Sequence, residues 1–167
     1  MNVQAFARKG YRVLVNVGNR LQSVFLLAVR LYWGWQFAQS GWGRLHNLDR
    51  ATDFFASLGI PMPHANAVFI SSLELVGGIL LALGLGSRVV SLLLLGDMTV
   101  AYLTAEREAL KMIFSDPGKF YTADPYTFWF ASALILLFGP GLLSLDYLIQ
   151  KRGNTAQTET IYVPQTV

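Results

Sequence analysis

The chain contains no cysteine. That absence excludes disulfides, thiolate catalysis, iron–sulfur ligation and cysteine-bound zinc within it. Histidine is nearly absent as well. His46 and His64 are the only two, and no acidic residue stands at a suitable ligand spacing from them, so no metal site is expected. There is no Gly-rich phosphate loop, no Ser-His-Asp arrangement and no HExxH, and no catalytic residue can be assigned from such motifs. Any redox chemistry must therefore use a bound cofactor, a quinone or a partner subunit. Charge is scarce where the chain is apolar. Of ten acidic residues only Glu74 and Asp97 fall inside the long apolar runs, and of thirteen basic residues only Arg30 does.

What is abundant is hydrophobic sequence, 53% of 167 residues, with a mean hydropathy of +0.42. A soluble domain of this length does not need so much. The net charge of +3 does not argue for nucleic acid, because no soluble basic patch carries it. The bases gather near the ends of apolar runs, where they set topology and meet anionic headgroups.

A bilayer core of about 30 Å takes roughly 20 helical residues. Four runs approach that length: Ser23–Trp42, Ala67–Gly86, Val89–Ala105 and Tyr126–Leu145. The expected fold is all-α, a four-helix transmembrane bundle over residues 21–150. Residues 1–20 form a basic N-terminal segment mixing Phe6, Tyr11, Leu14 and Val17 with Arg8, Lys9, Arg12 and Arg20. It reads either as an amphipathic helix in the membrane interface or as a frayed basic tail. Residues 151–167 read as a flexible polar tail. No small-residue cleavage site closes a short apolar core near the start, so the first run is expected to remain as an anchor.

The link between the first two runs, Asp53–Pro63, is apolar but broken by Gly59, Pro61 and Pro63. It is too short to span and predicts an interfacial or re-entrant segment. Gly86, Ser87 and Arg88 alone join the second and third runs, which forces an antiparallel hairpin. A polar loop over Glu106–Pro125 joins the last two. Arg8, Lys9, Arg12, Arg20, Arg88, Lys151 and Arg152 fall on one side of the layout. Arg44, Arg50, Arg107, Lys111 and Lys119 fall on the other. The larger basic count places both termini in the cytoplasm, in a multi-pass protein of the cytoplasmic (inner) membrane.

Arg30, Glu74 and Asp97 lie near the midpoints of their own runs. An unpaired charge at that depth costs at least about 2.5–3.5 kcal/mol. The three are expected to face inward as a polar cluster, with Arg30 clamping Glu74, Asp97 or both. Two roles are open for it: a structural clamp fixing helix order, or a proton or ligand site in which one carboxyl keeps its proton. Gly34 and Gly41 share a helix face with Arg30, and Gly77 and Gly78 follow Glu74. Glycines there let helix backbones approach closely in lipid, or admit a flat ligand ring.

Four stretches resemble a known family. From Arg30 the chain reads RLYWGWQFAQSGWGRL. The link and second run read FFASLGIPMP, then SSLELVGGILLALGLGSR. The third run holds DMTVAYLTA from Asp97, and FGPGLLSLD closes the last. Together they are similar to members of the DoxX family, small integral membrane proteins. The closing motif departs from the family's pattern at Leu142, where a basic residue is common.

The resemblance implies a small subunit of, or partner to, a quinone-linked membrane oxidoreductase system, of the thiosulfate:quinone type. Its partners would be the lipid bilayer and membrane or peripheral redox subunits, or further copies of itself, and not nucleic acid. Quinone is the cofactor it implies. The competing readings are a non-catalytic scaffold for a larger complex, and a small-solute or proton pathway.

Overall fold

The computed structural model describes residues 3–152, and among these every regular element is helical. In chain order they are α1 (Val3–His46), α2 (Leu48–Ser57), α3 (Pro63–Leu83), α4 (Ser87–Thr104), α5 (Arg107–Lys111), α6 (Pro117–Thr122) and α7 (Pro125–Phe138). A further helical stretch covers 145–152. The polar C-terminal tail lies outside the described residues.

Boundaries follow local chemistry. Pro63 opens α3, where its missing N–H and fixed φ suit a first helical position. Gly84 closes α3 with φ 71° and Gly86 precedes α4 with φ 59°, a left-handed backbone that glycine adopts without Cβ strain. The two helices therefore reverse within three residues. α7 stops at Phe138, where Gly139 takes φ 77° ahead of Pro140. This is seven residues short of the expected end at Leu145, because that apolar run contains its own breaker.

α1, α3, α4 and α7 pack in a ring, α1 against α3 and α7, and α4 against the same two. Phe37, Leu81, Leu94, Met98 and Ile135 fill its centre. The short helices α2, α5 and α6 follow or precede the same ends of the long ones, and this is called the α2 end. The α3–α4 reversal marks the turn end. α3 and α4 are long and apolar enough to cross a membrane, while α7 is apolar but has 14 residues.

Three links differ from the sequence expectation in detail. α1 runs unbroken for 44 residues, about 66 Å, so the described part of the basic N-terminal segment continues the helix of the first apolar run and is not a separate element. The apolar link holds α2, which starts at Leu48 and seats Ala51 and Phe55 against Ala67 of α3. The loop before α7 contains α5 and α6. Tyr102 of α4 anchors it, donating its hydroxyl to the Phe120 carbonyl at 2.8 Å and stacking on the Phe120 ring.

Candidate functional site

Glycines set how α1 and α3 meet. A Cβ on Gly34 would sit 2.7 Å from the Gly78 carbonyl oxygen, and one on Gly41 would sit 2.4 Å from that of Ser71. A Cβ on Gly78 would lie 2.5 Å from both the Ala38 nitrogen and the Gly34 oxygen. These are backbone atoms that cannot step aside. Gly77 faces the other way, toward the Leu94 side chain of α4 at 3.3 Å. The antiparallel register is thus fixed: Gly34 lies over Gly78 and Ala82, Gly41 over Ser71 and Leu75.

That register places Glu74 opposite Ser40 and Arg44. Glu74 is 1% exposed. Its Oε1 accepts a hydrogen bond from Arg44 Nη2 at 2.9 Å, and the same nitrogen reaches Ser40 Oγ at 2.8 Å. Asp97 of α4 stands beside Glu74, within hydrogen-bonding reach. Glu74 Oε2 and Asp97 Oδ2 are both buried and find no other partner. One proton held between the two carboxyls would, with Arg44, bring the group to charge neutrality.

Arg30 does not join this group. It is fully buried, but its Nη2 donates to the Leu143 carbonyl, and Nε and Nη1 have no partner. Its guanidinium fills the space above Gly84, leaving no room for a Cβ there. The expected cluster of Arg30 with Glu74 and Asp97 is therefore corrected. Arg30 is eleven residues from Gly41, which touches Glu74, so about 16 Å of helix separates them. The middle of the first apolar run does not mark the depth of α1, whose packed length continues past Trp42 to the polar Arg44.

Asp146 shares the turn end with Arg30. Its two carboxylate oxygens accept from the Gly86 and Ser87 backbone N–H groups, at 2.7 and 2.8 Å. These are unpaired donors at the start of α4, which a carboxylate suits. Burial works against this carboxylate's charge. The two amide donors and the nearby Arg30 outweigh it, holding the carboxyl below the usual carboxylate range. The closing SLD triplet thus ties the chain after α7 back to the α3–α4 turn.

A cavity of about 900 Å³ opens at the α2 end, and Ser40, Arg44, Glu74 and Asp97 line part of it. The rest is mostly apolar. Phe37 and Phe128 meet edge to face, with centroids 4.7 Å apart, on its inner wall. Arg44 is 36% exposed, so it can pair with Glu74 and still present N–H groups to the cavity. Such an arrangement can hold an apolar, ring-bearing molecule by a hydrogen-bond-accepting head and offer it a proton.

In the sequence, Arg44 counts toward topology and falls in the motif from Arg30, but neither Arg44 nor Ser40 is named as a site residue. The signal was present: Arg30, Gly34, Phe37, Gly41 and Arg44 continue one helix face. Setting the glycines of α1 antiparallel against those of α3 puts Arg44 across from Glu74. The histidines stand apart, His46 Nδ1 against the Trp42 carbonyl at 2.9 Å and His64 against Thr52 at 3.3 Å.

Comparison with known proteins adds a family match. Residues 25–107 match the family model described as DoxX. That stretch carries Arg30, Arg44, Glu74, Asp97 and the four packing glycines, while Asp146 lies beyond it. A Bacillus subtilis (strain 168) protein named "Putative oxidoreductase CatD" is 28% identical over 141 residues, which cover 83% of this chain and 98% of that protein. No solved structure matches the chain.

Proposed function

Because this chain belongs to the DoxX family of membrane proteins, we propose that it is a four-span subunit of a quinone-linked membrane oxidoreductase system, with its quinone site in the cavity at the α2 end. The observation that carries this reading is the Arg44–Glu74–Asp97 group set in the wall of a largely apolar cavity. Cavities of roughly 300–1,000 Å³ with a few placed polar groups are the usual form of small-molecule sites. The name of the Bacillus subtilis relative points toward redox chemistry in the same direction.

The four spans are α1 from about residue 23, α3, α4 and α7. α1 supports this by presenting Phe25, Leu31, Tyr32 and Trp35 outward, each more than half exposed, as a lipid-facing surface does. α7 reaches full depth with the irregular 139–143 segment, which the bundle covers in part. The basic N-terminal segment and Arg88 share the turn end, which supports a cytoplasmic location for that end and for both termini.

In the site, Arg44 would hold one quinone carbonyl by a hydrogen bond. The Glu74–Asp97 pair would hold one of the two protons that reduction of a quinone to the quinol takes up, the other coming from water. Electrons come from a partner redox subunit, the partner class this reading requires. A quinone added to the purified protein in nanodiscs tests it. Saturable binding, weakened at least tenfold by Arg44→Gln, is expected. Absence of binding in the parent protein would remove the reading and favour the scaffold role. That second role draws on residues 8–22 of α1, which are exposed on every side and free to meet an assembly partner.

A further inference from the structure

The cavity is bounded unequally. Toward α1 it ends on packed residues, Phe37 being fully buried, while at the α6–α7 link and the start of α7 the lining residues Tyr121, Thr122, Asp124 and Thr127 are exposed. α3 and α4 are in contact at Gly77 and Leu94, but farther toward the α2 end both helices line the cavity. Three of its lining residues there are also more than half exposed: Phe54 of α2 at 52%, Phe69 of α3 at 62% and Val100 of α4 at 51%. Lining side chains exposed to this degree mark openings, so the cavity has an apolar mouth here and a polar one at the α6–α7 link. All three are apolar, whereas Thr122, Asp124 and Thr127 among the exposed lining residues at the α6–α7 link are polar.

α3 and α4 are the two helices with the length and composition of membrane spans, so the opening between them faces hydrocarbon. Water-soluble molecules gain nothing at such a doorway, whereas apolar chains do. A single quinone ring would also occupy only a fraction of about 900 Å³. We infer that the cavity is loaded sideways from the bilayer, between Phe69 and Val100, and that its ligand is a lipid whose chain stays in this opening while its polar head reaches Arg44. The inference rests on the reading of the cavity as a quinone site for the identity of the head, and on the opening alone for the chain.

The test uses full-length protein in phosphatidylcholine nanodiscs preloaded with a decyl-chain quinone. Val100→Trp narrows the opening. Leu93→Trp, on an exposed position of the same helix that does not line the cavity, is the control. Melting temperatures confirm that both variants fold. Loading of the quinone should slow at least tenfold in Val100→Trp and stay within twofold of the parent in Leu93→Trp. In parallel, protein extracted in mild detergent is analysed by mass spectrometry for retained lipids. A chain-bearing lipid retained by the parent should be lost from Val100→Trp.

Equal loading and equal retention in all three proteins would overturn the sideways route while leaving the quinone reading standing. A retained lipid without quinone binding, lost on Val100→Trp, would support the route and remove the quinone reading. If the parent binds no quinone and retains no chain-bearing lipid, both fall.

Discussion

Arg30 and Arg44 leave the same helix and enter opposite ends of the bundle. At the turn end the surroundings of Arg30 are closed: it is fully buried, it fills the space over Gly84, and its bonded partner is a backbone carbonyl of the segment after α7. Asp146 beside it is committed to the first amides of α4. At the α2 end Arg44 is partly open, its partner is a carboxylate, and a second carboxyl and a cavity lie next to them. A cation locked against fixed backbone dipoles can hold segments together. A cation paired to a titratable group at a cavity wall can exchange partners with a ligand. Burial of charge is common to both ends, and the available space distinguishes clamp from site.

The comparison depends first on the register that both ends share. Gly78→Leu should therefore have the largest effect, since even a Cβ would press on the α1 backbone. Inserting extra methylenes into a packed core costs about 1–3 kcal/mol, and here the atoms met are backbone and cannot yield. No folded protein should survive detergent extraction, judged by size-exclusion profile. Gly77→Ala, which meets only the flexible Leu94 side chain, should remain folded. Equal behaviour of the two would mean that the helices do not meet as described.

Next comes the clamp. Arg30→Leu leaves the Leu143 carbonyl without its donor and Asp146 without its neighbouring cation, a loss of about 3 kcal/mol by analogy with broken buried pairs. It should lower the melting temperature strongly, yet leave quinone affinity of the surviving folded fraction within about twofold. Arg44→Gln should reverse that pattern. The partly exposed Arg44 contributes less to stability, about 1 kcal/mol, and its loss should appear mainly in binding. If Arg30→Leu instead abolished binding in folded protein, the division between the two ends would be wrong.

The smallest effect concerns Asp146. Its carboxyl is held below the ordinary range, so its contribution is present above the unfolded value of about 3.9 and is lost as pH falls through the lower folded value. Asp146→Asn should cost about 1 kcal/mol at neutral pH, like other losses of a helix-start acceptor. The gap between variant and parent, followed by denaturation at stepped pH, should close below about pH 4. A gap that widened on acidification would contradict the capping role.

Much of the helical layout was legible. The apolar runs bracket α3 and α4 to within four residues, because Pro63, Gly84 and Gly86 punctuate them chemically. α7 was overextended because hydrophobicity alone continues past Gly139 and Pro140. The start of α1 was hidden because its basic residues break an apolar run without breaking a helix. The charged group was half legible: Glu74 and Asp97 stand out as acids in apolar surroundings. Arg44 does not, since it sits past the apolar run among polar residues, and only the glycine register links it to Glu74. The cavity was not legible at all, as it arises from where α2 and the α6–α7 link come to rest.

The assignment of partners to Glu74 can be read out directly by double-mutant cycles on unfolding free energy in one detergent. The variants are Arg44→Leu, Arg30→Leu and Glu74→Leu, with the two doubles that include Glu74. Residues in one charged pair couple by about 0.5–3 kcal/mol, and separated ones add to within about 0.5 kcal/mol. Arg44 and Glu74 should couple by at least about 1 kcal/mol, and Arg30 and Glu74 should be additive. Strong coupling of Arg30 with Glu74, together with additivity of Arg44, would contradict the register and the site built on it.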